Sequence, residues 1–439
     1  MLRWLFLDLN SYFASVEQQL EPALRGRPVA VSPVDNPSGT CIAASYEAKA
    51  FGVKTGVRVG EARLLCPDLV VVPPRSKIYV EFHHKVIEAV EKCLPVSSVH
   101  SIDEVACRLS RDELNHDNAR ALARQVKVSL REHVGEYVRA SIGLAPNAWL
   151  AKIATDMQKP DGLVLLDDHN LRESLLTLKL DDLPGVGPRM LKRLNSAGIR
   201  DMEQMLALSE GHMKQVWGGI VGQQMYLRLR GDDLGERVTH RRSIGHQHVL
   251  PPARRNEQGS WEVATRLLQR AAARVRHYKY AARWMTVVVR YTNAPTWTAS
   301  ECFDAGTDDS VELLLALRRH WARRPMGTPL LVSVTLHELL GPGSYTPSLF
   351  RESQSRSALS RAMDEINARF GSMTVYPGIL HGTREASHGA IAFKSIPDLS
   401  FIDSVKGNDP KKRERRSADS RRPSAPGTPE AEWPRPRPV

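Results

Sequence analysis

The stretch Ser101-Ile102-Asp103-Glu104 places two adjacent carboxylates between two apolar segments, residues 96–99 and residues 105–109. The apolar segments predict two strands, and the polar insert predicts the tight turn that joins them. Consecutive strand residues point to opposite faces of a sheet, so both carboxylates can reach one target only near a turn. A divalent cation is a suitable target because hard cations prefer oxygen ligands. A solvated hairpin turn is the more common explanation of an Asp-Glu pair taken alone.

A third carboxylate, Asp8, lies near the end of the apolar segment 3–9, which predicts a buried strand. The helix predicted next has Ser11 as its candidate N-cap and carries an apolar stripe at helical spacing. An acid at a strand end beside a helix N-terminus is typical of nucleotide sites, because the free N–H groups there can hold phosphate. A capped amphipathic helix with an incidental acid is the alternative.

Short strands and helices alternate over the first 168 residues. Further strands are predicted at residues 28–32, 40–43, 69–72, 137–143 and 163–166. Helices are predicted at residues 45–52, 59–66, 76–94, 116–133 and 147–158. This alternation predicts an α+β layer in which one face of an antiparallel or mixed sheet is covered.

After residue 168 the pattern changes, and residues 183–188 (Leu-Pro-Gly-Val-Gly-Pro) resemble the turn of a helix-hairpin-helix. Gly185 and Gly187 would let backbone N–H groups approach a phosphate without side-chain interference. Lys192 and Arg193 flank this turn and add positive charge. A glycine turn in a small helical bundle is the alternative.

A linker is predicted over residues 232–246, and two helix–strand units follow it. The helices are predicted at residues 261–278 and 309–322, and the strands at residues 285–291 and 330–336. This two-fold pattern predicts a β-α-β-β-α-β module. Five arginines are expected to line one side of the module: Arg266, Arg270, Arg274, Arg276 and Arg283. One further helix is expected at residues 357–370, and the Pro-, Arg- and Ser-rich segment from residue 406 predicts disorder.

The charge balance indicates a polyanionic partner. The chain has 439 residues and a net charge of +12, and it is long enough for roughly two to four domains. Residues 237–290 hold twelve Lys or Arg against two Asp or Glu. This excess is larger than solubility requires, and nucleic acid is the simplest partner. A solvated basic helix face is the alternative.

Five scattered cysteines indicate a reducing compartment: Cys41, Cys66, Cys93, Cys107 and Cys302. Their odd number and the lack of a Cys-x-x-Cys pair argue against a disulfide framework and against a zinc site. The apolar start of the chain stops too early for a signal peptide. No apolar run approaches the ~20 residues that a membrane helix needs. A cytoplasmic protein without a membrane segment is therefore expected.

Asp8, Asp103 and Glu104 come from strand ends that one sheet could bring together. Three carboxylates around a water-filled gap can hold two Mg²⁺ ions ~3.5–4 Å apart, the arrangement that supports in-line nucleotidyl transfer. A positive side chain should lie near the phosphates of the substrate, and Lys49 and Lys159 are the candidates.

Five ordered stretches resemble the motifs of the Y-family (translesion) DNA polymerases. They are residues 8–17 (Asp-Leu-Asn-Ser-Tyr-Phe-Ala-Ser-Val-Glu), 45–53, 101–104, 141–154 and 159–162 (Lys-Pro-Asp-Gly). With the glycine hairpin and the basic module, the resemblance covers about residues 1–340 in the order of the family. Within the family it points to the bacterial DinB and UmuC branches.

The resemblance implies an α+β right-hand polymerase fold with a ferredoxin-like palm, small fingers, a helical thumb that carries the helix-hairpin-helix, and an α/β little finger. It divides the chain into a palm (1–10 and 78–168), fingers (11–77), thumb (169–233), little finger (241–340), C-terminal extension (341–405) and disordered basic tail (406–439).

The resemblance also implies roles at the active site. Asp8, Asp103 and Glu104 would be catalytic and would bind two Mg²⁺ ions with help from the backbone carbonyl of Leu9. Phe13 would be the steric gate that leaves no room for a ribose 2′-hydroxyl. The remaining residues would hold the triphosphate: the backbone of Tyr12, and the side chains of Tyr46, Lys49 and Lys159.

The implied partners are primer-template DNA and deoxynucleoside triphosphates. Two regions would bind the DNA, largely through electrostatic contacts: the hairpin with Gly185, Gly187, Lys192 and Arg193, and the start of the basic module with Arg241 and Arg242. Leu349 and Phe350 end a segment that stands where relatives carry a sliding-clamp peptide, but the usual leading Gln is absent. A linker with incidental apolar residues explains that segment nearly as well. Other damage-response proteins are further candidate partners.

Four positions depart from the family pattern. Asn10 replaces a frequent Asp outside the three-carboxylate set, so metal binding should survive. Lys49 replaces a frequent Arg, which keeps the charge and loses bidentate geometry. Ala43 removes a hydroxyl that often contacts phosphate. Ile42 is bulkier than the residue of some relatives near the nascent base pair, so the range of tolerated lesions stays open.

The function expected is low-fidelity, template-directed DNA synthesis at damaged or stalled primer ends, as part of damage tolerance and the SOS response. A non-catalytic relative that binds DNA and recruits other polymerases is the alternative, although such relatives typically lose acidic ligands. A DNA-binding protein built on the hairpin and the basic module is a second alternative. A nucleotidyl cyclase would explain the metals but neither the hairpin nor the basic module.

Overall fold

The computed structural model describes residues 1–110, 113–235, 241–345, 351–370 and 374–383, which form three β-sheets and the helices around them. The strands are β1 (Trp4–Leu9), β2 (Val29–Val31), β3 (Ala43–Ala44), β4 (Val70–Val72), β5 (Ser98–Val99), β6 (Glu104–Arg108), β7 (Ala140–Ala145), β8 (Leu163–Leu165), β9 (Ser243–Val249), β10 (Ala281–Tyr291), β11 (Trp297–Thr307) and β12 (Pro329–Leu340). The α-helices are α1 (Tyr12–Leu20), α2 (Tyr46–Ala50), α3 (Val59–Leu65), α4 (Ser76–Glu91), α5 (His116–His133), α6 (Ala148–Met157), α7 (Leu171–Leu176), α8 (Pro188–Ser196), α9 (Met202–Ala207), α10 (Glu210–Trp217), α11 (Gly219–Leu229), α12 (Glu257–His277), α13 (Ser310–Trp321) and α14 (Arg351–Phe370).

Strand β1 lies at the centre of a five-stranded sheet, called the N-terminal sheet, with the order β5-β6-β1-β7-β8. It is antiparallel to β6 and β7, whereas β8 runs parallel to β7. The hairpin predicted around residues 101–104 is confirmed, because β5 and β6 pair antiparallel across that turn. The register places Asp8 opposite Glu104 on one side and opposite Ser141 on the other.

Both faces of the N-terminal sheet are packed, so the prediction of one covered face is wrong. Leu5 and Leu7 belong to the core that α4 and α5 complete on one face. Trp4 and Phe6 belong to a second core on the opposite face, where α6 packs. All six residues of β1 are buried. A run of consecutive apolar residues such as 4–7 is typical of a sheet with helices on both faces.

A small sheet with the order β3-β2-β4 follows α1 and has its own core with α2 and α3. The predicted segments 28–32 and 40–43 thus correspond to β2 and β3, which pair antiparallel. Ser45 fixes the start of α2, because its hydroxyl accepts a hydrogen bond from the backbone N–H of Ala48 at 3.3 Å. Helix α2 (Tyr46–Ala50) lies within the predicted segment 45–52, and Ser45 is its N-cap.

Helices α7 to α11 form a helical segment (residues 171–229) that shares its core with α6 of the N-terminal sheet. Two side chains of the α6 region bind the backbone of this segment. Trp149 donates to the carbonyl of Pro184 at 3.2 Å, and Asn147 donates to the carbonyl of Arg228 at 2.9 Å. The helical segment is therefore anchored directly to the helix that packs under β1.

The C-terminal module (residues 243–340) has the element order β9-α12-β10-β11-α13-β12, which confirms the predicted β-α-β-β-α-β pattern. Its sheet has the order β11-β10-β12-β9. The predicted linker 232–246 is too long at its end, because β9 begins at Ser243. Ile244 is the buried apolar residue of β9, residues 245–248 are polar or glycine, and Val249 is exposed. The strand thus lacks the apolar alternation by which sequence patterns identify strands.

Helix α14 docks on the helices of the C-terminal module through ion pairs. Asp364 binds Arg276 of α12 at 2.5 Å, and Arg356 binds Asp309, the N-cap of α13, at 2.8 Å. The Arg276 side chain is only 5% exposed, so the prediction that it lines an accessible basic face is wrong. Arg266 is buried as well. Residues 406–439, predicted to be disordered, lie outside the described residues. No helix in the described parts of the chain is long and apolar enough to cross a membrane.

Candidate active site

The three predicted acids meet at one edge of the N-terminal sheet. Asp8 and Glu104 are directly opposed in antiparallel strands, so their side chains point to the same face. The carbonyl of Asp103 accepts a hydrogen bond from the N–H of Leu9 at 2.9 Å, which ties the turn to the end of β1. The Asp103 carboxylate accepts a hydrogen bond from the Ser101 hydroxyl at 2.5 Å. Strand pairing and the turn together therefore bring acids from two distant segments to one place.

A cavity of about 230 Å³ lies in front of these acids. Its lining includes eight of the residues predicted to bind metal or nucleotide: Asp8, Leu9, Tyr12, Phe13, Tyr46, Lys49, Asp103 and Lys159. Glu104 lies beside the cavity, next to Asp8 in the sheet. Ile42 and Ala43 also line it, so both departures from the family pattern face the place where a nucleotide would bind. Thr55 contributes a hydroxyl to the lining, which the sequence did not lead us to expect.

Two lysines bind the carboxylates directly. Lys152 of α6 pairs with Asp8, with Glu104 at 3.1 Å and with Asp156 at 3.3 Å. Lys159 pairs with Asp8 at 2.8 Å and with Asp156 at 2.7 Å. Burial lowers the pKa of each lysine, but the surrounding carboxylates outweigh burial, and the net result is a raised pKa. Both side chains are therefore ammonium ions at neutral pH.

Asp103 and Lys49 have altered proton affinities for physical reasons. Burial raises the pKa of the Asp103 carboxyl, and the neighbouring charges of Asp8 and Glu104 add to that rise. The hydrogen bond from Ser101 opposes it. Burial also lowers the pKa of Lys49, and the charge of Lys159 adds to that effect. The Lys49 ammonium lies 4.5 Å from the centre of the Tyr46 ring, so these two predicted triphosphate-binding residues touch each other.

The donor set fits a hard divalent cation, because carboxylate and carbonyl oxygens are the ligands that such ions prefer. Three carboxylates from two paired strands converge on one polar cavity, with the backbone of Leu9 in its wall. Within the described residues, however, no closed group of three acidic, His or Cys side chains has metal-ligand spacing. The ammonium groups of Lys152 and Lys159 pair with Asp8, one of the carboxylates that would bind the metal ion.

The predicted gate residue rests on a buried aromatic stack. The Phe13 ring lies 4.4 Å from the Tyr79 ring, centroid to centroid, at an angle of 15°. The Tyr79 hydroxyl donates to Glu17 at 2.7 Å, and Arg75 pairs with the same carboxylate. The Tyr12 hydroxyl donates to the carbonyl of Tyr79 at 2.6 Å. Helix α4 therefore supports the Phe13 ring through the side chain of Tyr79. This role of Tyr79 was not predicted from the sequence.

Ser11 does not cap α1, so this prediction is wrong. Ser11 has a left-handed backbone with φ of 48° and ψ of 41°, and its side chain accepts no capping hydrogen bond. An N-cap residue normally has an extended backbone that aims its side chain at the N–H groups of the first turn. The turn after β1 instead directs Ser11 into the cavity lining.

Asn10 fixes the loop that carries Lys159. Its amide Oδ1 accepts from the backbone N–H of Asp161 at 2.7 Å, and its Nδ2 donates to the Ser141 hydroxyl at 3.0 Å. Ser141 also accepts from the N–H of Gly162 at 3.2 Å. Asn10 lies outside the carboxylate set, as predicted, but its positioning role was missed. A buried amide two residues after a strand-end acid is the signal that could have suggested it.

His83 of α4 supports the turn at residues 101–104. Its Nδ1 lies 2.8 Å from the carbonyl oxygen of Ile102. A carbonyl only accepts, so Nδ1 carries the proton. Burial lowers the pKa of His83, which keeps the ring neutral. No sequence pattern connected this histidine to the acidic turn.

The predicted DNA-binding residues lie in other parts of the fold. Gly185 has φ of +98°, and the space where a Cβ would stand is open, as it is at Gly187. Lys192 and Arg193 are exposed on α8.

At the start of the C-terminal module, Arg241 stacks over the Tyr278 ring at 4.1 Å, and Arg242 is exposed. Leu349 and Phe350, the predicted clamp contacts, lie outside the described residues.

Comparisons with known proteins agree with this geometry. Residues 7–156 match the impB/mucB/samB family, residues 181–233 match the thumb domain described for DNA polymerase iota, and residues 241–349 match the C-terminal domain of the impB/mucB/samB family. A DNA polymerase IV of Moorella thermoacetica is 34% identical over 399 residues, which cover 86% of this chain and 98% of that protein.

Comparison of the fold with solved structures also finds DNA polymerases of this kind. A Y-family DNA polymerase chimera of Dbh and Dpo4 aligns with a TM-score of 0.65 at 26% identity, covering 77% of this chain and 99% of the chimera. An insertion ternary complex of Dbh DNA polymerase aligns with a TM-score of 0.54 at 26% identity and the same coverage. The α+β right-hand polymerase fold and the resemblance drawn from the five motifs are confirmed. The chain therefore belongs to the Y-family of translesion DNA polymerases, in its bacterial DinB-like branch.

Proposed function

We propose that this translesion DNA polymerase transfers a deoxynucleotide to a primer 3′ end in the cavity bounded by Asp8, Asp103 and Glu104. The observation that carries the proposal is the meeting of these acids, from two distant segments, beside the triphosphate-binding candidates. Members of the family use divalent metal ions, and we propose two Mg²⁺ ions held by the three carboxylates and the carbonyl of Leu9. Bound there, the ions would lower the pKa of the primer hydroxyl and stabilise the leaving pyrophosphate.

The protein's own groups orient the nucleotide. Lys159, Lys49 and Tyr46 bind the triphosphate, with Tyr12 contributing its backbone. Lys159 is already aligned with the acids, since it pairs with Asp8 at 2.8 Å. The Phe13 ring, held by Tyr79, fills the space that a ribose 2′-hydroxyl would need. Positioning and charge stabilisation of this kind account for most of the catalysis in phosphoryl-transfer sites.

The three sheets and their cores support an assignment of the polymerase parts. We propose that the N-terminal sheet is the palm (1–10 and 78–168), the small sheet the fingers (11–77) and the helical segment the thumb (169–233). The C-terminal module is then the little finger (241–340), with the extension 341–405 and the tail 406–439 beyond it.

DNA binding is assigned to the thumb and the little finger. The hairpin with Gly185 and Gly187, flanked by Lys192 and Arg193, holds the primer strand, and Arg241 and Arg242 contribute from the start of the little finger. A sliding clamp that contacts Leu349 and Phe350 is a further partner in this proposal, as are other damage-response proteins. The enzyme acts in the cytoplasm, where its DNA substrate lies in a bacterium.

A primer-extension assay with Mg²⁺ tests the catalytic assignment. We expect Asp103→Asn to lower the extension rate by about 100-fold or more, the loss typical when one charge-stabilising group is removed. Its affinity for primer-template DNA should stay within about twofold, since the DNA contacts lie elsewhere. Asp35→Asn is the matched control, because Asp35 is exposed and pairs only at the surface with Arg63. Extension by Asp103→Asn at the wild-type rate would contradict the proposal.

The same assay with ribonucleoside triphosphates tests the gate. Phe13→Ala should incorporate ribonucleotides that the unchanged enzyme rejects, because truncation opens the space beside Tyr79. The non-catalytic alternative has no support, since all three acids lie at one site.

A further inference from the structure

Lys152 occupies the centre of the acidic site. It extends from the middle of α6, and its ammonium nitrogen lies between carboxylates and 6.0 Å from the centre of the Phe6 ring. Its ammonium pairs with Asp8 and lies 3.1 Å from Glu104 Oε1 and 3.3 Å from Asp156 Oδ2. The side chain is 18% exposed. Two of these three partners belong to the proposed metal-ligand set.

An ammonium ion and a divalent cation compete for this site. A cation that is coordinated by Asp8 and Glu104 binds the same two carboxylates with which the ammonium now pairs. Two positive charges placed so close together would also repel each other strongly in a partly buried site. Metal binding therefore favours movement of the Lys152 ammonium out of the space between these two carboxylates.

We propose that Lys152 is a resident counter-cation of the metal site. It holds the acidic residues together when no metal is bound, and it yields its place when the metal binds. The inference rests on the proposed function, since it takes Asp8 and Glu104 as metal ligands.

The position of Lys152 on α6 suits this exchange. Asp156 lies one helical turn further along the same helix, so the ammonium can move toward Asp156 and keep an ion-pair partner. Lys159 does not take over the contact with Glu104, because it pairs with Asp8 and Asp156. Lys152 is thus the ion that connects the two opposed strands β1 and β6.

Charge explains what Lys152 contributes before the metal arrives. Asp8, Asp103, Glu104 and Asp156 bring four carboxylates to a site where two ammonium groups, those of Lys152 and Lys159, form direct ion pairs. Asp8 is only 6% exposed, so solvent screens its repulsion from the others poorly. Removing one ammonium leaves a larger excess of negative charge, which weakens the metal-free fold and strengthens the attraction for a divalent cation.

Mn²⁺ binding and thermal unfolding of the full chain, without DNA or nucleotide, test the inference. Calorimetric titration of Lys152→Met should give Mn²⁺ binding about tenfold tighter than the unchanged protein. In EDTA the same variant should unfold several degrees lower, and saturating Mn²⁺ should recover most of that loss. Asp103→Asn should greatly weaken the Mn²⁺ signal, which assigns the binding to this site.

Two further variants serve as controls, and a third repeats the test. Lys214→Met removes the same charge from an exposed pair with Glu210 in the helical segment, and we expect no change in Mn²⁺ affinity. Lys152→Arg keeps the charge and should bind Mn²⁺ no more tightly than the unchanged protein. Lys152→Gln is a second neutral variant, which repeats the test of Lys152→Met with a different side chain. A neutral variant that folds only after Mn²⁺ is added would also support the proposal.

The proposal would be overturned if both neutral variants, Lys152→Met and Lys152→Gln, bound Mn²⁺ as weakly as the unchanged protein or more weakly. A neutral variant that stays unfolded with Mn²⁺ would also overturn it. The outcome is separable from that of the proposed function. Full primer extension by Asp103→Asn contradicts the catalytic assignment, whereas the counter-cation role is decided by the Mn²⁺ titrations of the Lys152 variants.

Discussion

A single amide group shows how the chemistry of this site depends on individual residues. Asn10 uses its two ends differently, since Oδ1 accepts from the N–H of Asp161 and Nδ2 donates to Ser141. The Asp that many relatives carry can accept the first bond when ionised but cannot donate the second. The amide also adds no negative charge next to Asp8. Asn10 is therefore a neutral positioning group in this chain.

Asn10→Ala should mainly weaken nucleotide binding. The change leaves the backbone N–H of Asp161 without its acceptor, the buried amide of Asn10, and this loosens the loop of Lys159. Loss of a buried hydrogen-bond partner typically costs about 1–3 kcal/mol. We expect KM for the incoming nucleotide to rise about tenfold, with a smaller fall in kcat, in single-nucleotide insertion assays. Asn10→Asp should recover part of the loss, because it restores the acceptor.

Asn118→Ala, on the exposed face of α5, is the control for the loss of an amide. A fall in kcat at constant KM for Asn10→Ala would show that Asn10 acts on the chemical step instead.

The residue scale also marks the limit of prediction from sequence. The acids could be predicted because their positions at strand ends follow from apolar patterns. The partners of Lys152 could not, because Glu104 lies 48 positions away and only the register of β1 and β6 brings the two groups to one face. The stack of Tyr79 on Phe13 has the same cause, since α4 and α1 become neighbours only through tertiary packing.

At the scale of the element, local signals decide how much could be predicted. Helix α5 spans His116–His133, the predicted 116–133, because Asn115 caps its start and its apolar stripe is regular. Strand β9 was included in a linker, since its inward positions after Ile244 are His246 and His248 rather than aliphatic residues. Sequence patterns identify elements that bury apolar side chains at regular spacing. Strand β9 does not bury its side chains in this way.

The contact between β7 and α6 is close enough to test with one methyl group. A Cβ at Gly143 would lie 2.0 Å from the carbonyl oxygen of Ala151 and 2.8 Å from the Cβ of Ala154. Because backbone cannot move aside cheaply, we expect Gly143→Ala to destabilise the fold by about 1–3 kcal/mol. Thermal or denaturant unfolding of the full chain measures this change.

Gly187→Ala is the matched control, because its Cβ would meet nothing within 4 Å and its φ of −86° suits any residue. Equal stability of the two variants would mean that β7 and α6 are less tightly packed than the structure indicates.

At the scale of the molecule, the cavity with the acids and the proposed DNA-binding residues lie in different parts of the fold. The acidic cavity is lined by residues of the N-terminal sheet and of the small sheet with its helix α2, and the C-terminal module has a core of its own. The docking of α14 on that module was not predicted, because the pair of Arg356 with Asp309 joins charged residues 47 positions apart. The boundaries assigned to palm, fingers, thumb and little finger remain a proposal.

The net charge of +12 makes DNA affinity a property of the whole surface. We expect the affinity for primer-template DNA to fall linearly with salt on logarithmic axes, because each neutralised phosphate releases counterions. A variant with both Lys192→Ala and Arg193→Ala should reduce the slope by about 2, one for each phosphate that the protein no longer neutralises. Binding titrations over a range of salt concentrations measure the slope.

Arg120→Ala with Arg124→Ala removes two exposed charges from α5 and should leave the slope unchanged. An unchanged slope in the Lys192 and Arg193 variant would remove the hairpin helix from the set of phosphate-binding elements.

The antiparallel pairing of Asp8 with Glu104 also constrains the length of the chain. Side chains alternate between faces, so inserting or deleting one residue between Trp4 and Asp8 would turn either the apolar side chains or the acid to the wrong face. No substitution elsewhere could repair that error, because both faces of β1 are already filled. The number of residues between Trp4 and Asp8 is therefore constrained as strongly as their identity. An insertion or deletion in this interval would be tolerated less well than most substitutions.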